Sequence, residues 1–409
     1  MRKKSFILYS LLVFTAVSCK DLGTSADQQR VPPRPLTSLE KALVAADNTF
    51  GFKLFNTVNA DEIGKNVFIS PVSVSMALGM TLNGANGATR DSMAKTLEFG
   101  GLSQNDINTS YRSLIALLMA LDPSVTFQIA NSIWYRPDLN VEQPFKDVNK
   151  EYFNALINSL DFSDPAAAGI INGWVDRNTN GRIKEIIQPP IPRDMVMYLI
   201  NAIYFKAAWT YRFDQNLTRD DMFELPDGLK KPCKLMYQKG KFQYLENDEL
   251  QAIDLQYGDA GFSMIVLLPK PGRKIDEFVR QMTQQRWSDW TKGFRSTELD
   301  LYLPKFKLEY EKKLNDVLKA MGMAIAFAPF EADFTKIDKG GGLFISEVKH
   351  KTFVQVDEEG TEAAAVTSVG IGRVSMPPTM RVDRPFVFVI RENNSGTILF
   401  MGKIVEPTF

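Results

Sequence analysis

Apolar residues recur at helical spacing from the point where the chain first looks able to fold. Leu39, Leu43, Phe50 and Leu54 follow Thr37, where TSLE has the makings of a capping box, so a helix is expected to start there. Similar spacing predicts helices over residues 73–83, 110–121, 145–154, 168–179 and 312–321. Short apolar runs of strand length lie at 262–268, 353–356, 386–390 and 398–405. Strands dominate the later part, and the mixture indicates an α+β fold. No internal repeat, heptad array or low-complexity block interrupts the 409 residues, and no long linker divides them, so one large domain is favoured.

The connection from Val356 to Thr379, VDEEGTEAAAVTSVGIGRVSMPPT, carries a pattern of its own. It is far longer than the roughly 4 to 6 residues usual between elements, which marks a functional or disordered segment. Counted by twos, Thr361, Ala363, Ala365, Thr367, Val369 and Ile371 form a small or apolar face without charge, as a buried strand requires. Glu362 falls on the other face, and Gly360 is placed to act as a hinge. No proline occurs from Gly360 to Arg373 to remove a ladder donor. The same residues therefore suit an exposed loop and a sheet strand.

Composition adds limits. With 44% hydrophobic and 23% charged residues the chain has ample material for a core. Lysine and arginine balance aspartate and glutamate at 48 each, and a leader carrying Arg2, Lys3 and Lys4 would leave a net charge of about −3 once removed. A general nucleic-acid or polyanion binder is disfavoured.

The opening MRKKSFILYSLLVFTAVSC reads as an export signal, too short to span a membrane comfortably. Cys19 directly after Ala16, Val17 and Ser18 resembles a bacterial lipobox, in which the cysteine is acylated, although Ala16 stands where leucine is usual. The expected division is a signal over 1–18, a polar tether over 19–36 and a domain over 37–409. The domain would be lipid-anchored at the outer membrane or cell surface, with a secreted or periplasmic protein as the alternative. Only Cys233 remains beyond Cys19, so stability must come from packing. Cys233 reads as an ordinary, partly buried thiol. One histidine and one available cysteine cannot build the familiar metal sets, no phosphate-loop pattern is present, and no cofactor is implied.

The run HKTFVQVDEEGTEAAAV from His350 closely resembles the proximal hinge of the serpins, and SMPP with DRPFVFVI from Asp383 resembles the segment after their reactive bond. Blocks in family order include NVFISPVSVSMALGM from Asn66, INGWVDRNTNGRI from Ile171, LINAIYFKAAW from Leu199, LPKF from Leu303, LFISEVKHK from Leu343 and FMGKIVEP from Phe400. The resemblance covers nearly the whole mature chain. It implies three β-sheets with about nine helices, an exposed reactive loop, a monomer, and no enzymatic activity. The implied partners are serine proteases, with cysteine proteases as a second class, trapped as the cleaved loop inserts into the main sheet. A non-inhibitory serpin-fold binding protein is the alternative.

Carried onto this chain, the resemblance assigns the hinge to Glu358, Glu359, Gly360, Thr361, Glu362, Ala363, Ala364 and Ala365. It sets the reactive bond at Val374–Ser375, with Arg373–Val374 as the alternative. Ser70, Ser73 and Asn201 resemble the residues beneath the sheet where strands part, and His350 resembles a strand residue near the top of the main sheet, where the loop enters. Trp174 and Trp209 match packing tryptophans. Heparin activation is disfavoured because the early helix offers only Arg112. A hydrolase built on the lone His350 is the third class, and no GxSxG elbow supports it.

Overall fold

The capping box forms as expected. In this computed structural model, which describes residues 34–361 and 378–409, Thr37 Oγ1 accepts from Glu40 N at 3.2 Å and Glu40 Oε2 accepts from Thr37 N at 2.7 Å. They start α1 (Ser38–Asp61), whose Leu43, Phe50, Leu54 and Phe55 are fully buried. Cys19, Glu362, Ala363, Ala364, Ala365, Arg373, Val374 and Ser375 fall outside the described residues. Pro35–Phe409 cluster as one unit.

The first half of the chain is mostly helical. After α1 come β1 (Val67–Ile69), α2 (Pro71–Leu82), α3 (Gly87–Thr96), α4 (Gln104–Ala120), β2 (Thr126–Tyr135), α5 (Gln143–Phe153), β3 (Leu156–Ser159), α6 (Ala167–Asn178) and β4 (Met197–Ala208). Strands then take over: β5 (Arg219–Glu224), β6 (Lys230–Glu246), β7 (Leu250–Tyr257) and β8 (Phe262–Pro269), followed by α7 (Ile275–Arg280) and α8 (Gln284–Gly293). The rest comprises β9 (Arg295–Pro304), β10 (Phe306–Lys313), α9 (Asn315–Leu318), β11 (Lys349–Val356), β12 (Gly360–Thr361), β13 (Thr379–Arg381), β14 (Phe386–Glu392) and β15 (Ile398–Ile404).

Among the described residues there are nine α-helices and three sheets, the α+β architecture that the sequence implied. The largest sheet runs β1-β15-β14-β8-β7-β6-β9-β13, with β5 added to β6. Its central strands β8 and β15 are buried at every residue, which is why they stand out as continuous apolar runs. Phe68, Phe388 and Phe400 stack at this centre, with Phe68 5.5 Å from Phe388 and 5.3 Å from Phe400 between ring centroids. The other two sheets are a four-stranded one, β12-β4-β2-β3, and the pair β10-β11.

Two helix expectations are corrected. The helix expected over 312–321 starts only at Asn315: Lys312 and Lys313 end β10, opposite His350 and Lys349 of β11. Alternating charges hold that pairing, with Lys351 Nζ 2.9 Å from Glu309 and Lys349 Nζ 3.3 Å from Glu311. The helix expected from residue 110 begins six residues earlier, because Ser103 and Asp106 form a second capping box.

Candidate functional site

β4 and β11 share no ladder. β4 pairs with β2 on one side, β11 pairs with β10, and a seam runs between them. At its head the chain leaves β11, turns through Asp357–Glu359 and reverses as β12, where Gly360 and Thr361 pair antiparallel with Ala208 and Ala207. Gly360 is needed there for two reasons. Its φ is +135°, and a Cβ would lie 2.4 Å from Ala207 O and 2.6 Å from Ala208 Cα.

Backbone and indole donors from the end of β4 hold the turn. Trp209 N donates to Glu359 O at 2.9 Å, Trp209 Nε1 to Asp357 O at 2.9 Å, and Phe213 N to Glu358 O at 3.0 Å. The Trp209 ring is fixed by stacking on Tyr257 at 4.4 Å. It is thus a packing residue, as read from the sequence, with a donor role that only the fold reveals.

Glu358 is nearly buried, and both of its oxygens are engaged. Lys305 Nζ lies 2.8 Å from Oε2, and Thr218 Oγ1 donates to Oε1 at 2.6 Å. Burial works to raise its pKa, but the hydrogen bonds from Lys305 and Thr218 outweigh it and hold the carboxyl below its ordinary value. Glu359 N donates to Asp357 Oδ1 at 3.0 Å, which tightens the same turn.

Lower in the seam lies a cavity of about 130 Å³, lined by Ser73, Val74 and Leu78 of α2, by Ile200 and Asn201 of β4, and by His350 of β11. Ser70, just before α2, does not cap it with its side chain. Its Oγ donates to Leu399 O at 2.7 Å and its N donates to His350 Nε2 at 2.9 Å. The lone imidazole thus has its acceptor nitrogen on a backbone amide, not on a serine hydroxyl. Burial alone lowers its pKa to about 4, so it is neutral at pH 7. Asn201 Nδ2 donates to Asn131 Oδ1 at 2.8 Å, while Asn201 Oδ1, buried, has no partner. Ser70, Ser73 and Asn201, singled out beneath the sheet, therefore meet at one place, and His350, expected near the loop's entry, joins them there because Ser70 N bonds its ring.

Between the head and the cavity, Phe353 of β11 sits under two cations. Arg182, from the segment after α6, lies 5.2 Å from its ring centroid and Lys307 of β10 lies 5.6 Å away. A smaller cavity of about 20 Å³ separates Phe353 and Gln355 from Ile203 and Phe205 of β4. Lys305, Thr218, Arg182 and Phe353 were not singled out from the sequence. Each is an ordinary residue type whose importance depends on a neighbour distant in the chain. Elsewhere, Trp174 packs edge-on against Trp134 at 6.4 Å. Cys233 is a buried free thiol, its pKa pushed up to about 11 by burial.

Two sheets that meet along an unpaired seam, with a two-residue strand begun at its head, define a mixed α+β class of fold that leaves one strand position open. A profile of the family described as Serpin (serine protease inhibitor) matches residues 45–407. An uncharacterized serpin-like protein of Thermococcus kodakarensis is 36% identical, covering 90% of this chain and 86% of its own length. The leukocyte elastase inhibitor of Xenopus laevis is 34% identical over 89% of this chain and 99% of its own. Among solved structures, the thermophilic serpin tengpin in its native state superposes with a TM-score of 0.82 at 33% identity, covering 92% of this chain and 96% of that one. This chain belongs to the serpin family.

Proposed function

We infer that this chain inhibits serine proteases irreversibly, as a suicide substrate whose cleaved loop inserts between β4 and β11. The observation that carries the reading is β12, two residues already paired to β4 at the head of an unpaired seam. The lengths agree. β4 has 12 residues, about 40 Å at ~3.3 Å each, and the about 14 residues from Thr361 to Val374 would span about 45 Å. Ladder bonds at about 0.5 to 1.5 kcal/mol each, with burial of the small alternate side chains, supply on the order of 10 kcal/mol over a dozen residues.

The chemistry follows from ordinary proteolysis stopped halfway. The protease hydroxyl adds to the Val374 carbonyl, the bond to Ser375 breaks, and Ser375 leaves with a new amino terminus. The ester left on Val374 ties the protease to the moving strand. A cysteine protease would form the corresponding thioester. Val374 suits elastase-like and subtilisin-like enzymes, and the name of the Xenopus laevis relative supports the first of these. Cleavage one residue earlier, after Arg373, would suit trypsin-like enzymes. Export on a lipid anchor at Cys19 belongs to the same reading.

Incubation with elastase, subtilisin and trypsin tests it. An SDS-resistant complex is expected, together with a large rise in Tm after loop cleavage. Thr361→Arg, which would carry a cation into the sheet, is expected to turn the inhibitor into a plain substrate. Clean cleavage without a complex and without a change in Tm would overturn the reading in favour of a non-inhibitory binding protein.

A further inference from the structure

α2 carries a second polar knot on a face turned away from the seam. Asp47 of α1 is 2% exposed, and its Oδ1 accepts from Ser75 Oγ of α2 at 2.6 Å and from Tyr111 OH of α4 at 2.8 Å. The two hydroxyl oxygens lie 2.7 Å apart, so three oxygens from three helices close a triangle. Asp47 Oδ2 has no hydrogen-bond partner. Around the Tyr111 ring stand Phe99 and Phe153, with centroids 6.1 and 5.3 Å away.

Among the described residues no cation answers this carboxyl. α2 has no ionisable side chain at all. On α1, Glu40 is bonded to Thr37 and Ser113, Lys53 pairs with Glu98, and Asp61 pairs with Lys312. On α4, Arg112 pairs with Glu151 of α5. Lys403 of β15 is held by Asp276 of α7 and by Asn59, Arg286 of α8 pairs with Glu249, and Lys319 after α9 pairs with Asp316. An ionised carboxylate sealed without a counter-ion is strongly disfavoured, and such a group keeps its proton instead. Burial accordingly raises the Asp47 pKa to about 7, against the two hydroxyl hydrogen bonds that lower it. The Tyr111 phenol is pushed well above its ordinary value, first by burial and then by the Asp47 charge, and stays a donor throughout.

We propose that Asp47 is a proton-operated clasp on α2: protonated, it ties α1, α2 and α4 together beneath the sheet, and ionised, it loosens the helix that floors the seam. The link to seam opening rests on the insertion reading above; the clasp itself does not. α2 joins the two places, since Ser73, Val74 and Leu78 line the cavity while Ser75 bonds Asp47.

The sign follows from the direction of the shift. Between 3.8, the unfolded value, and about 7, the folded state holds one proton more than the unfolded state. The stability that Asp47 contributes is therefore complete below that window, falls as pH rises through it, and is level above about 7. His350, neutral when folded, works in the opposite direction between about 4 and 6.5. The two buried groups offset each other, so the parent protein should vary less with pH than either single variant.

The test is Asp47→Asn in the full chain, with unfolding followed from pH 4.5 to 8. Relative to the variant, the parent unfolding constant is expected to rise about tenfold per pH unit up to about pH 7, then run parallel. Parallel curves across the whole range would overturn the clasp. Tyr111→Phe removes one bond to the charged form and should move the levelling-off to higher pH; an unchanged position counts against it. Infrared spectra at pH 5.5 should show a protonated-carboxyl band that Asp47→Asn lacks, and its absence from the parent ends the proposal. For the link, the ratio of the parent's heat-induced conversion rate to that of Asp47→Asn should rise on the order of tenfold from pH 5.5 to pH 8, His350 acting on both proteins alike. A ratio that does not change with pH would refute the link. Failure to trap proteases would refute insertion, while the unfolding curves would still decide the clasp.

Discussion

Lys305 Nζ lies 2.8 Å from Glu358 Oε2, and this pair pins the turn that joins β11 to β12. The side chains are only 17% and 7% exposed, so the charges are poorly screened, and removing one leaves the other stranded. Glu358→Gln is expected to lower the stability of the intact protein by on the order of 3 kcal/mol. Glu358→Lys should do more harm, by setting two cations together. Urea unfolding checks both, and a loss below about 1 kcal/mol for Glu358→Gln would place the pair with ordinary surface ion pairs.

Gly360→Ala tests the hairpin. The added methyl would meet Ala207 O and Ala208 Cα, at a φ of +135° that an L-residue rarely adopts, so β12 should leave the sheet. Insertion after cleavage should slow, and more inhibitor should be consumed for each protease trapped. Titration of a fixed amount of elastase measures that ratio, and an unchanged ratio would mean that β12 does not start insertion.

Arg182 and Phe353 bridge the seam from the segment after α6 to β11. Phe353→Ala removes two cation–π contacts at about 0.5 to 1 kcal/mol each. Opening should become easier, so heat-induced loss of the native form should accelerate by up to on the order of tenfold. Native gels after timed incubation at one temperature give the rate, and no acceleration would show that the seam opens elsewhere first.

His350 sets an acid limit. Its folded pKa of about 4 lies below the unfolded 6.5, so stability is complete above 6.5 and is lost as pH falls through the folded value. The full difference is about 3 kcal/mol, and burial means this charge cost is not relieved by solvent. His350→Gln, which keeps an acceptor for Ser70 N, should gain stability relative to the parent as pH falls from 6.5 to 4.5, read as the difference between the two unfolding curves. Parallel curves would show that the imidazole becomes protonated without disturbing α2.

What the sequence disclosed follows burial. β8, β14 and β15 were legible because both faces are covered, which leaves an unbroken apolar run. The α1 start was legible because capping chemistry is local. β6 was not: much of its 17 residues is exposed, it contains Pro232 and several lysines, and it owes its conformation to partners on both sides. Lys312 and Lys313 were misread as helical because they owe their place in β10 to pairing with β11 and to acids that no local window contains, Asp61 and Glu62 for Lys312 and Glu347 for Lys313. In the candidate site, Gly360 announced itself through its alternating surroundings. Lys305 could not, since nothing in LPKF says which acid it will meet. Asp47 is likewise one acid in a long helix, and its burial shows only when α2 and α4 close over it.

β14 and β15 lie inside the largest sheet, flanked by β8 and β1, while β13 is laid against β9. A cut anywhere between residues 362 and 377 would therefore divide the backbone without setting anything adrift. The nicked protein should behave as one particle on a sizing column and separate into two only in denaturant. A protease acting on this loop would gain no diffusing product, and any signal of its attack would have to come from the change in shape.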